Sequence, residues 1–161
     1  MDSVKFIALD GEDLAVVSTH VQDAVVKVSD VIWRPQEKRL VIGLNRFDWE
    51  AAATADPQYR RRRAALRFER VLACKCRAVD PKIKNEVLNL LAIEFIAKDP
   101  PAGTILLTFS GGGTLRLEVE CLECELADLG PAWTTSCCPH HAADAEAQSV
   151  PPGMPGESRT P

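Results

Sequence analysis

TILLTFS-GGG-TLRLEVE, residues 104–120, reads as two strands joined by a glycine turn. In its second half Leu115, Leu117, Val119 and Cys121 alternate with Arg116, Glu118 and Glu120. A period of two puts the apolar set on one face and the charged set on the other, the pattern of a half-buried antiparallel strand. Gly111, Gly112 and Gly113 supply the positive φ that a tight hairpin needs. A phosphate-binding loop would require a Lys-Ser/Thr pair and then a helix, and here a strand follows.

The same reading extends upstream. Val87 to Ile96 is apolar on both faces, which predicts a central or wholly covered strand. From Ala64 to Val79 the positions Leu66, Phe68, Leu72, Cys74, Cys76 and Ala78 share one face, with Arg70 as the exception. Leu40, Ile42 and Leu44 alternate within Arg39–Trp49, and the Val/Ile-rich run Val25–Trp33 precedes them across Arg34-Pro35-Gln36-Glu37-Lys38. Two β runs joined by a short Pro-containing break predict a hairpin. Residues 51–59 carry no period and read as a loop or a single helical turn.

At the start, Val4 to Leu9 forms a short apolar run ending at Asp10. Asp10 suits a helix N-cap, and Asp13 suits the positive end of the helix dipole. Leu14, Val17, Val21 and Val25 then recur at helical spacing, predicting a helix from about Glu12 to Ala24. Beyond Cys121 the apolar phase slips to Leu122, Cys124 and Leu126, which suggests a β-bulge. The expected fold is α+β: a curved, mostly antiparallel sheet or open barrel of about seven strands with one N-terminal helix. Residues 1–130 read as a single domain. Six of the eleven prolines lie from Pro131 onward, and residues 131–161 read as a disordered tail with too little apolar surface to offset its ordering entropy.

The chain has 161 residues, 46% hydrophobic and 26% charged, with a formal net charge of −4. That composition supports a packed core and disfavours a nucleic-acid partner, which calls for a dominant basic surface. The charge is nonetheless split. Arg34 to Lys84 carries 14 Lys and Arg against 6 Asp and Glu, and Glu118 to Asp128 carries five acids and no base. Pairing of the two segments across a sheet is the simplest explanation. The N-terminus has no basic region followed by a long apolar run, and no apolar run reaches the ~20 residues of a membrane helix. Six cysteines do not make a dense disulfide framework, so reduced thiols and a cytoplasmic location follow.

Three stretches carry a resemblance: FIALDGEDLAVVSTHVQDAVVKV at 6–28, LNRFDWEA at 44–51 and FSGGGTLRLEVECLECELADLGPAW at 109–133. Together with the strands between them, most of residues 4–133 resembles the domain-of-unknown-function family 2948, a set of short alphaproteobacterial proteins. The resemblance implies a bacterial cytosolic protein and brings no activity, cofactor or functional residue with it.

Candidate sites must therefore come from the residues. Cys74, Cys76, Cys121 and Cys124 could supply four thiolates to zinc if their strands are neighbours or form a redox pair, although cysteines at apolar strand positions pack as small hydrophobes. Cys137-Cys138-Pro139-His140-His141 in the tail offers soft and borderline donors in one dense cluster, but its composition reads first as an incidental polar tail. Arg60, Arg61, Arg62 and Arg63 form the most visible charge block: a solvated strand entry, a candidate surface for an acidic protein partner, or, with Tyr59 and Phe68 near, one for nucleic acid. Asn45, Arg46 and Asp48 lie beside Phe47 and Trp49, a mix that with Arg70 can line a ligand pocket or close into an ion-pair network. His20, on the predicted helix, has no nucleophile or carboxylate at a recognisable spacing. The sequence thus calls for no cofactor and leans against an enzyme without excluding one. It favours a non-catalytic binding or interaction module; the alternatives are a small-ligand-binding protein or enzyme with a pocket near Asn45, Arg46, Asp48 and Arg70, and a cysteine-based zinc protein.

Overall fold

A computed structural model describes residues 4–54 and 59–135. The chain opens with strand β1 (Lys5–Ala8) and helix α1 (Gly11–His20). The Asp10 carboxylate accepts a 2.8 Å hydrogen bond from the Asp13 amide, so the predicted N-cap is in place. The helix is shorter than its periodicity suggests. Val21 ends it, and Val25, expected on the helical stripe, lies in strand β2 (Ala24–Lys27). The β-branched run Val25-Val26 resolves the ambiguity toward strand.

After a 3₁₀ turn, β3 (Val31–Arg34) and β4 (Arg39–Phe47) form the expected hairpin, closed by Lys38 at φ 53°. A single helical turn, α2 (Trp49–Ala52), precedes β5 (Arg60–Phe68). The stretch 64–79 is two strands rather than one. Arg70, the exception to the alternation, sits at φ 62° in the turn between β5 and β6 (Val71–Arg77). β7 (Val87–Ala97) also departs from expectation. A register shift between Leu90 and Ala92 moves the buried face from Leu88 and Leu90 to Ile93, and leaves Val87 and Leu91 exposed. Apolar residues at both parities therefore reflect a bulge, not a strand covered on two sides.

β8 (Gly103–Phe109) and β9 (Thr114–Val119) flank the glycine turn, where Gly111 and Gly112 have φ 82° and 91°. The phase slip after Cys121 is not a bulge. β9 ends at Val119, and β10 (Cys124–Asp128) crosses away to lie between β1 and β5. A last strand, β11 (Trp133–Thr134), pairs with Arg61 and Arg60, so ordered structure continues past Gly130.

Among the described residues the strands number eleven, more than the seven expected. They form one antiparallel sheet in the order β1-β10-β5-β4-β2-β7-β8-β9-β6, with β3 added on β4 and β11 on β5. The sheet curls without closing. Helix α1 packs against β1 and β7, and the Ser18 hydroxyl oxygen accepts a 3.0 Å bond from the Ile93 amide. One apolar core runs through the curl, from Leu14 and Val17 through Leu44, Leu66 and Leu126 to Leu107 and Leu117. No helix among the described residues is long and apolar enough to cross a membrane.

Candidate functional site

The buried apolar stripes of β4, β5 and β10 each end in a charge. Leu40, Ile42 and Leu44 lead to Arg46; Phe68, Leu66 and Ala64 lead to Arg62; Cys124 and Leu126 lead to Asp128. Strand register sets Arg46 opposite Arg62, and Asp128 opposite Ala64. The Arg46 guanidinium donates two parallel bonds to Asp128, Nε to Oδ1 at 2.8 Å and Nη2 to Oδ2 at 2.9 Å, and both side chains are 0% exposed. Asp128 Oδ2 also accepts from the Val4 amide at 2.7 Å. Burial pushes the Asp128 carboxyl up, but the Arg46 and Val4 hydrogen bonds and the Arg46 and Arg62 charges outweigh it and hold the pKa below the usual value. Asp48 completes the cluster, 3.0 Å from Arg60 and 3.5 Å from Arg62. A bidentate guanidinium–carboxylate pair shielded from water is a rigid fastener for three strand ends.

The basic run is thus divided by the strand. Arg62 points inward at 3% exposure. Arg61 donates to the Asn45 carbonyl at 3.2 Å and lies 5.7 Å from the Phe47 ring centroid. Arg63 reaches Asp30 at 3.0 Å and the Asn45 side-chain oxygen at 3.3 Å. Arg46 and Asp48 meet in the buried cluster, Asn45 lies on the opposite face of β4, and Arg70 is elsewhere. Arg70 is 59% exposed and sits 4.0 Å from Glu120 and 3.7 Å from Glu123. The acidic segment does meet the basic one across the sheet: besides Asp128 with Arg46, Glu125 pairs with Arg67 and Glu120 with Lys38.

The cysteines are also divided. Cys74 and Cys76 lie on β6, Cys124 on β10, and Cys121 in the link before it; all four are free. Among the described residues no group of three or more His, Cys, Asp or Glu is placed to hold a metal. The tail cluster of residues 137–141 lies outside the described residues, and His20 ends helix α1.

Cys74 and Cys76 instead share an apolar cleft where the curl fails to close. β3 pairs with β4 alone and β6 with β9 alone. The two edges come together where the Val71 amide donates to the Lys38 carbonyl at 2.9 Å. Away from that point lies a cleft of about 220 Å³, walled by Val31 and Trp33 of β3 and by Cys74 and Cys76 of β6. Val28, Leu88 and Leu115 line it further in, and Val79, Pro81 and Lys84 belong to the strap 78–86 beside it. The strap is anchored: the Ser29 amide donates to the Lys84 carbonyl at 3.0 Å and the Val28 amide to the Glu86 carbonyl at 2.9 Å. It also packs so near Gly113 that a Cβ there would lie 2.7 Å from Val79 Cγ2. Burial, with the Cys76 thiol nearby, pushes Cys74 up to about 11. Burial, with the Glu125 charge, pushes Cys124 up to about 12.

A family model described as protein of unknown function (DUF2948) matches residues 4–141, which takes in every strand from β1 to β11. The chain belongs to this family. No curated protein and no solved structure matches it. Within the matched stretch, Trp33, Lys84, Leu88 and Leu115 are among the cleft residues that the sequence reading did not single out. They come from three separated stretches of chain, around 33, 84–88 and 115, and no spacing rule connects them. Asp128 and the inward orientation of Arg62 were also missed, and here a signal existed, because each prolongs the apolar alternation of its own strand.

Proposed function

We propose that the protein is a non-catalytic binding module that holds a small apolar molecule in the cleft between β3 and β6. The observation that carries this reading is the cleft itself: an indole, aliphatic side chains and two thiols around open space, at a seam between the edge strands β3 and β6. Apolar concavities with few polar groups are the usual form of small-ligand sites. Its chemistry suits holding rather than reacting. A thiol becomes a nucleophile as its thiolate, and Cys74 is held protonated at neutral pH by burial and its neighbour. The free thiols suit a reducing compartment such as the cytosol. The Arg60–Arg63 run contributes less to this reading than the cleft, since these guanidiniums have partners within the fold.

The test is a titration with N-phenyl-1-naphthylamine, a neutral apolar dye that fluoresces when shielded from water. A saturable rise at one dye per chain is expected. Cys76→Trp, a change at an exposed position on the cleft wall, should abolish the rise while thermal unfolding stays cooperative. No saturable rise, or one that Cys76→Trp leaves intact, would remove the cleft from consideration.

A further inference from the structure

We propose that the ligand of this cleft is a small apolar monocarboxylate, with its carbon skeleton against Trp33, Leu88 and Leu115 and its carboxylate at Lys84. The inference rests on the binding reading above and names the class of molecule bound.

Three observations converge on it. Lys84 is the charged residue on the cleft lining, among walls that are otherwise apolar or thiol. A lone ammonium beside a low-dielectric wall attracts an anion more strongly than it would in open water, and it repels a cationic ligand. Its stem can lie along the apolar rim while the ammonium stays at the mouth.

Lys84 is also positioned from both sides. Its own carbonyl and that of Glu86 accept from the Ser29 and Val28 amides, and the Ile83 amide donates to the Asp80 carbonyl at 3.0 Å. Lys84 therefore sits on a stapled strap rather than a loose loop. Three acids lie on the segments around Lys84. Asp80 Oδ1 accepts from the Lys82 amide at 2.9 Å, Asp30 is held by Arg63 at 3.0 Å, and Glu86 borders the adjoining depression with Ala78 and Ile83. Lys84 has no ion-pair partner among the described residues.

Size narrows the class. The cleft volume, about 220 Å³, falls below the roughly 300 Å³ at which pockets begin to enclose drug-sized ligands. A medium-chain acid of about eight to ten carbons, or a bicyclic aryl acid, matches that space better than a long-chain lipid or a nucleotide.

The experiment uses the full chain and isothermal titration with decanoate, octanoate and decan-1-ol. Decanoate should bind at one per chain, about fifteenfold tighter than octanoate for its two extra methylenes. Decan-1-ol should bind about fivefold more weakly than decanoate, the scale of one partly exposed ion pair. Lys84→Ala should weaken decanoate about fivefold and move decan-1-ol less than twofold, and Lys82→Ala should leave both unchanged. If decan-1-ol binds as well as decanoate, or if Lys84→Ala shifts both equally, the carboxylate assignment is overturned while cleft binding stands. If none of the three binds and none displaces the naphthylamine dye, the carboxylate assignment falls, and a dye that still binds keeps the cleft reading separate from it.

Discussion

Replacing Asp128 with Asn keeps the shape of the side chain and removes its charge. In the folded protein this leaves the fully buried Arg46 guanidinium facing an amide, one of whose two positions now donates where it accepted before. It also removes a carboxylate that lies 4.0 Å from Arg62, which then shares Asp48 with Arg60. Removing one partner of a buried ion pair costs about 3–5 kcal/mol, because the remaining charge stays desolvated. For a domain of this size that corresponds to a fall in Tm of roughly 10–20 °C. Circular dichroism at pH 7 would measure it.

The pH dependence gives a second signature of the same pair. The folded Asp128 carboxyl titrates below its usual value, so the folded state binds its proton less readily than the unfolded chain. Its stabilisation is complete above about pH 4, the unfolded value, and is lost as the pH falls through the lower folded value. The gap in Tm between the native chain and Asp128→Asn should therefore be widest at neutral pH and shrink below about pH 4. The double variant Arg46→Met/Asp128→Leu should recover most of the loss, as apolar residues often replace a buried pair at little cost. A loss under about 1 kcal/mol at pH 7, or a gap that does not change with pH, would refute the claim that this pair fastens the strand ends.

Other consequences follow from the geometry. Under native conditions at pH 8, iodoacetamide with peptide mapping should label exposed Cys76 well before buried Cys124, whose thiol is pushed up to about 12, and a cleft ligand should protect Cys76. Gly113→Ala should destabilise the chain by about 1–3 kcal/mol and weaken cleft binding, because the new Cβ would press on Val79 and on the Ala78 carbonyl of the strap; comparing urea midpoints and dye affinity checks both. Asp10→Ala should cost about 1 kcal/mol through loss of the helix cap, read as a lower urea midpoint with dye binding unchanged.

The parts of the fold that follow from local chemistry were legible. The Gly111–Gly113 turn, the Asp10 cap and the alternation of TLRLEVE each state a backbone conformation within a few residues, and the structure has all three. The elements misread were those where one local pattern has two physical causes. Arg70 breaking an apolar stripe signals a turn as readily as a buried ion. A phase slip after Cys121 signals a change of neighbouring strand as readily as a bulge, and only long-range pairing decides between them. The charge cluster was half legible. Arg46 and Asp48 were recognised as candidates for an ion-pair network, but the partner lay 82 residues away at Asp128, beyond any local rule. Its signature was the alternation itself, because a charge that continues a buried stripe must find an opposite charge there. The cleft was not legible, since Trp33, Cys74, Leu88 and Leu115 become neighbours only when the sheet curls.

The most direct test of cleft binding is an amide and indole NMR titration of the full chain with decanoate. Binding in the cleft requires the largest shifts at the Trp33 indole and at the amides of Val31, Cys74, Cys76 and Lys84, saturating together at one equivalent. Shifts scattered over the surface, or centred on Phe47, Trp49 and Arg61, would contradict it.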